Sequence, residues 1–147
     1  MLAAKVFQAL IAITAAFGLY AIQLDAVNAF TNSKVDKIVY CQCPKGFKQD
    51  GLCLLLLQAL YRLWRSPLLW LKEFSNTLIQ LGLQQVPNKP CLYTNSKTIV
   101  FFYVDDIVLL EKDLGLLNQL KEALLERYEI RDLGHLSWFL GIRIIRD

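Results

Sequence analysis

Residues 101–110 read FFYVDDIVLL. Asp105 and Asp106 sit side by side in the middle of an apolar run. Ionised carboxylates are seldom buried without partners, and two neighbours repel each other. With IVFFYV before the pair and IVLL after it, the pattern predicts two buried strands, 98–104 and 106–111, with the aspartates at or near the tip of their hairpin. An ordinary turn is one reading, since aspartate favours turns. Tight hairpin turns usually add glycine or asparagine, however, and neither is present. The other reading is chemical. Adjacent carboxylates at a strand end offer hard oxygen ligands to Mg²⁺, whose charge offsets the repulsion that otherwise raises one carboxyl pKa. Two carboxylates are rarely a full ligand set, so a third is expected elsewhere in the chain.

Asp25, in IQLDAVNAF, is the candidate. It ends a short apolar segment, 20–26, that reads as a strand. On a strand next to the hairpin it completes a three-carboxylate cluster. Such a cluster suits two-metal phosphoryl transfer, in which one ion activates the attacking oxygen and the other stabilises the leaving one.

Outward from this centre, residues 4–18 read as a helix ended near Gly18, with Val6, Leu10, Ile13 and Phe17 at core-facing spacing. A signal peptide or membrane helix is the competing reading of this apolar start. KIVYCQC (37–43) reads as a strand and PKGF as a turn; GLCLLLLQALYRL (51–63) reads as strand, then loop. Ser66-Pro67 predicts a helix start with serine as N-cap, running to Gly82 with Trp70, Phe74, Thr77 and Leu81 on one face. VPNKP breaks it before a strand at 91–94. Residues 114–128 form an amphipathic helix with Leu117, Leu120, Leu124 and Leu125 on the apolar side. A last strand pair is expected at 129–132 and 138–145. The order predicts one α+β domain over 1–147, a sheet with helices on one face.

Composition agrees. The chain has 147 residues, of which 55% are hydrophobic, and a net charge of +3. That excludes a disordered chain and permits a polyanionic partner without requiring one. Cys41-x-Cys43 is tighter than a zinc pair, and the single histidine, His135, is far from it. The four cysteines read as reduced thiols in an intracellular protein. Trp64, Trp70 and Trp138 could stack on bases, although Trp70, at helical spacing, reads as core.

The chain resembles the reverse transcriptase of copia-type long-terminal-repeat retrotransposons. YVDD (103–106) matches the family's Tyr-x-Asp-Asp box, and QLDAVNAF (23–30) its first catalytic box. YCQCPKGF (40–47), LYRLWRSPLLW (60–70), KPCLY (89–93) and DLGHLSWFLGIRI (132–144) follow in family order over nearly the whole chain. The resemblance implies a right-hand polymerase palm of the split βαβ, ferredoxin-like type. It implies Asp25, Asp105 and Asp106 as catalytic ligands of two Mg²⁺ ions, with Mn²⁺ as a possible substitute. Val27, Asn28, Ala29, Phe30 and Tyr61 become nucleotide-binding positions, with Phe30 packing under the sugar. Phe139, Leu140 and Gly141 become primer-binding positions. The implied partners are an RNA template, a DNA primer, deoxynucleoside triphosphates and the rest of a polyprotein. The implied location is intracellular: cytoplasmic, in a virus-like particle if the parent element is active, or nuclear, with no stable membrane association.

The match has departures. The family's fingers segment, thumb and RNase H are expected to lie outside these residues. The box at 61–67 usually reads Tyr-Gly-Leu-(Lys or Arg)-Gln-Ser-Pro, and here it is YRLWRSP. A glycine there suggests a close approach or a positive φ, so Arg62 is expected to crowd the pocket or strain the loop. Arg62 and Arg65 could instead reach phosphates. An inactive relic or polyprotein fragment is therefore the alternative to an active polymerase.

Overall fold

A computed structural model describes residues 4–146. In chain order, α1 (Ala4–Phe17) leads into β1 (Tyr20–Ala26), a single 3₁₀ turn (Ala29–Asn32) and a short ribbon of β2 (Tyr40–Cys41) and β3 (Leu54–Leu55). Then come α2 (Ser66–Gln80), β4 (Gln84–Gln85), β5 (Leu92–Thr94), β6 (Ile99–Tyr103), β7 (Asp106–Glu111), α3 (Leu114–Arg127), β8 (Ile130–His135), β9 (Trp138–Phe139) and β10 (Ile142–Arg143). Six strands make one sheet in the order β4-β5-β6-β7-β1-β8, and every pairing in it is antiparallel. The fold is α+β, as the sequence predicts.

The hairpin at the centre explains its own apolar sequence. Val100, Phe102, Ile107 and Leu109 face one side, packed with Trp70, Phe74 and Leu78 of α2 and Leu117 and Leu124 of α3. Phe101, Val108 and Leu110 face the other, packed with Phe7 and Leu10 of α1 and with Phe139. Strands buried on both faces read as continuous apolar runs rather than alternating ones. The expectation of helices on one face is therefore corrected: α1 covers the side opposite α2 and α3.

The buried stripe of α1 also differs from the expected one. Phe7, Leu10 and Thr14 are buried, whereas Ile13 and Phe17 are 38% and 65% exposed. In an almost wholly apolar helix several stripes satisfy helical spacing, and partner rings choose among them. Phe7 sits 5.9 Å from Phe101 and stacks at 5.0 Å on Phe139. Among the described residues no helix is long and apolar enough to cross a membrane.

Three further expectations change. Ser66 is not an N-cap: it lies inside the first turn of α2, fully buried, and its hydroxyl donates to the Leu60 carbonyl at 2.6 Å. The strand expected at 37–43 and the one expected to open 51–63 shrink to the two-residue β2 and β3. Finally, 129–132 does not pair with 138–145. β8 joins β1 at the sheet edge, and β9 pairs only with β10. A bulge between Gln23 and Leu24 sets that edge, where Gly134 holds φ +75° and its N–H donates to Asp132.

Candidate active site

Sheet register brings the three aspartates to one end of the molecule. Asp25 on β1 is the direct cross-strand partner of Asp106 on β7. Directly opposed side chains point to the same face. Asp105 occupies the turn between Tyr103 and Asp106, which pair across the hairpin. The Ala26 N–H donates to the Asp105 carbonyl at 2.8 Å, tying the turn back to β1. All three side chains are partly open to solvent.

The turn itself has two central residues, Val104 and Asp105, and Val104 holds φ +54°. A β-branched residue in the left-handed region is strained, typically by about 1–3 kcal/mol. Trp70 offsets this. Its indole Nε1 donates to the Val104 carbonyl at 2.7 Å, while its ring stacks at 5.1 Å on Phe74 and meets Tyr128 edge-on. Sequence reasoning read Trp70 as core and missed this second role, because nothing in the helical spacing reveals what an indole N–H reaches. Two more positive φ values lie on segments next to the aspartates, at Asn28 (+50°) and Arg62 (+75°). Arg62 thus has the strained backbone expected where the resembling box carries glycine.

The electrostatics are those of a site with surplus negative charge. Burial raises the Asp105 carboxyl above its ordinary value, and the charges of Asp106 and Asp25 push the same way. Burial raises Asp106 too, with Asp25 adding and a hydrogen bond from Gln23 opposing. Gln23 lies two residues before Asp25, on the same face of β1, and was not anticipated. The nearest cation to Asp25 is Arg131, its partner across β8, at a long 3.9 Å.

Tyr61 belongs to this site. Burial raises its phenol pKa first, and Asp105 and Asp25 raise it further. Its ring lies 4.4 Å from that of buried Phe30. The Val27 N–H is engaged by the Glu129 carbonyl at 2.9 Å, so it is not free for a ligand. Arg65 is also committed: its guanidinium makes a two-point ion pair with Asp36. Of the residues at 139–141, Phe139 is buried against Phe7 and Phe101. Leu140 and Gly141 form the exposed tip between β9 and β10, both at positive φ.

All-oxygen donors of this kind suit a hard divalent cation. Among the described residues, no three His, Cys, Asp or Glu side chains are gathered closely enough to form a ready ligand set. The donor chemistry fits Mg²⁺, and the backbone register places the donors side by side.

A hairpin carrying YVDD, with a third aspartate opposite it on the neighbouring strand, is a feature that comparison with known proteins places in a family. The family model for reverse transcriptase (RNA-dependent DNA polymerase) matches residues 2–147, so the chain belongs to that family. Its relatives are copia-type elements. It is 29% identical over 94% of its length to the retrovirus-related Pol polyprotein from transposon TNT 1-94 of Nicotiana tabacum, covering 11% of that protein. It is 33% identical over 84% of its length to the Pol polyprotein from transposon RE1 of Arabidopsis thaliana, covering 9% of it. A putative transposon Ty5-1 protein of Saccharomyces cerevisiae is 30% identical over 82% of this chain, which covers 42% of that relative. The chain thus spans less than half the length of these relatives. No solved structure matches it.

Proposed function

We propose that this chain is the palm region of a copia-type reverse transcriptase and that Asp25, Asp105 and Asp106 hold two Mg²⁺ ions for nucleotidyl transfer. The observation that carries the reading is the register of Asp25 against Asp106, with Asp105 at the adjoining turn. When bound, the metals would lower the pKa of a primer 3′-hydroxyl and neutralise the leaving pyrophosphate. The chain's own residues would position the rest. Phe30 would support the sugar, with Tyr61 covering it from the exposed side. Asn28 and Ala29 would approach the phosphates by their backbone, whereas the engaged Val27 amide would only shape the turn. The tip at Leu140 and Gly141 would meet the primer, and Phe139 would anchor that tip in the core. RNA template, DNA primer and deoxynucleoside triphosphates are the proposed substrates, in an intracellular polyprotein context.

A second reading, an inactive relic, is favoured by one observation: Arg62 holds φ +75° in a box where Arg65 is already spent on Asp36. Primer extension on an RNA template decides between them. Mg²⁺-dependent extension, abolished by Asp105→Asn and by Asp106→Asn, supports the polymerase. Absence of extension by the chain both alone and joined to its flanking polyprotein sequence, with Arg62→Gly giving no rescue, supports the relic.

A further inference from the structure

Trp64 is 95% exposed, in a chain whose other tryptophans are buried (Trp70) or half-covered (Trp138). Tryptophan is highly buried on average, so a bare indole calls for an explanation. It is not on a loose loop. The Leu63 N–H donates to the Leu60 carbonyl, the Ser66 N–H to the Leu63 carbonyl, and the Ser66 hydroxyl to Leu60 again. Arg65, next in sequence, is clamped by Asp36. The turn therefore holds the ring out in solvent on a fixed base.

The segment that carries this ring is basic in sequence. Residues 34–65 contain six lysines and arginines against two aspartates, more than the whole chain's net charge of +3. The Arg65–Asp36 pair joins the turn to the ribbon that starts at Lys34, which bridges to Gln58. Lys34, Lys37 and Arg62 are exposed, and none makes an ion pair among the described residues. Tyr40 and Phe47 on the same ribbon are 64% and 76% exposed. Exposed aromatic rings on one segment with exposed, unpaired cations are the composition of a single-strand nucleic-acid platform, where bases stack and phosphates meet lysines. A protein-binding patch would instead be depleted of lysine at its centre.

We propose that Trp64 is a base-stacking residue for single-stranded nucleic acid, with Lys34, Lys37 and Arg62 as its phosphate contacts. Tyr61, three residues earlier, lies in the field of Asp25 and Asp105, so the same turn links this platform to the aspartates. That the bound strand is uncopied template rests on the polymerase reading; that it is single-stranded nucleic acid does not.

The test is anisotropy of a labelled single-stranded oligouridylate with the full chain, in Mg²⁺-free buffer so that polymerisation is not needed. Trp64→Ala is expected to weaken binding about tenfold and Trp64→Phe much less, since one stacked base accounts for that order of effect. Replacing Lys34 and Lys37 with Gln is expected to flatten the salt dependence by about 0.7 per lost contact. Circular dichroism of each variant checks that it folds, as an exposed ring predicts. Equal binding by parent and Trp64→Ala overturns the proposal, as does equal binding of single-stranded and duplex RNA. Asp105→Asn separates the two readings: loss of extension with oligouridylate binding intact supports both. If extension is absent from the chain alone, from the chain joined to its flanking polyprotein sequence and from Arg62→Gly, but binding still tracks Trp64, the polymerase reading fails and the platform stands.

Discussion

At the scale of single residues, the site is under strain that is visible in the backbone. Arg62 in the left-handed region costs of the order of 1 kcal/mol. Arg62→Gly is therefore expected to raise stability by up to about 1 kcal/mol, less the greater unfolded-state entropy of glycine, a gain of a few degrees in Tm at most. The aspartates give a pH-dependent counterpart. The carboxyls of Asp105 and Asp106 are raised in the folded chain, so their charged forms oppose folding. Stability from these groups is complete below the ordinary carboxylate value of 3.8 and is lost as pH rises through their raised values. Thermal melts of Asp105→Asn and Asp106→Asn are thus expected to show a gain over the parent at pH 7 that disappears toward pH 3. YVDD was legible in the sequence because two adjacent charges in an apolar run need a cause. The left-handed Val104 and the Gln23 contact were not, because backbone strain and a same-face hydrogen bond depend on register.

At the scale of elements, α2 and α3 hold the hairpin and its tip. Trp70→Phe keeps the stacking on Phe74 but leaves the part-buried Val104 carbonyl without its donor, which costs about 1 kcal/mol. Denaturant unfolding of this variant measures the cost, and nucleotide-dependent activity, where present, is expected to fall with it. Asp113 caps α3, its carboxylate accepting from the N–H groups of Gly115 and Leu116. Asp113→Ala is expected to cost about 0.5–2 kcal/mol in the same assay. Helices α2 and α3 could be read from apolar spacing and strand β1 from a short apolar segment, with only the cap of α2 misplaced. The ribbon β2–β3 could not, because GLCLLLLQAL fits a long buried strand as well as an exposed loop. Most of its leucines are in fact exposed, Leu54, Leu55 and Leu57 among them. The pairing of β8 with β1 was missed for a different reason. Local pattern does not reveal that a strand crosses to the far edge of a sheet.

At the scale of the whole molecule, two apolar layers sandwich one antiparallel sheet, with the three aspartates at one end. Ile38, Phe47, Leu57 and Ile145 each stand more than two-thirds exposed. Large exposed apolar side chains of this number favour association. Analytical ultracentrifugation of the isolated chain is expected to show concentration-dependent self-association, and a strictly monomeric chain at high concentration would contradict this. The α+β architecture was legible from the order of helices and strands, and the family from ordered motifs. The covering of both sheet faces was not, because a two-sided strand and a one-sided strand with apolar edges read alike until partners are known.

The claim on which the account turns is that Asp25, Asp105 and Asp106 act together on a divalent cation. The most direct measurement is Mn²⁺ titration of the full chain followed by electron paramagnetic resonance, with Asp25→Asn, Asp105→Asn and Asp106→Asn beside the parent. The account predicts saturable binding by the parent, loss of most of it in each variant, and competition by Mg²⁺. Binding that survives all three substitutions unchanged, or no binding by the parent at millimolar metal, would contradict it.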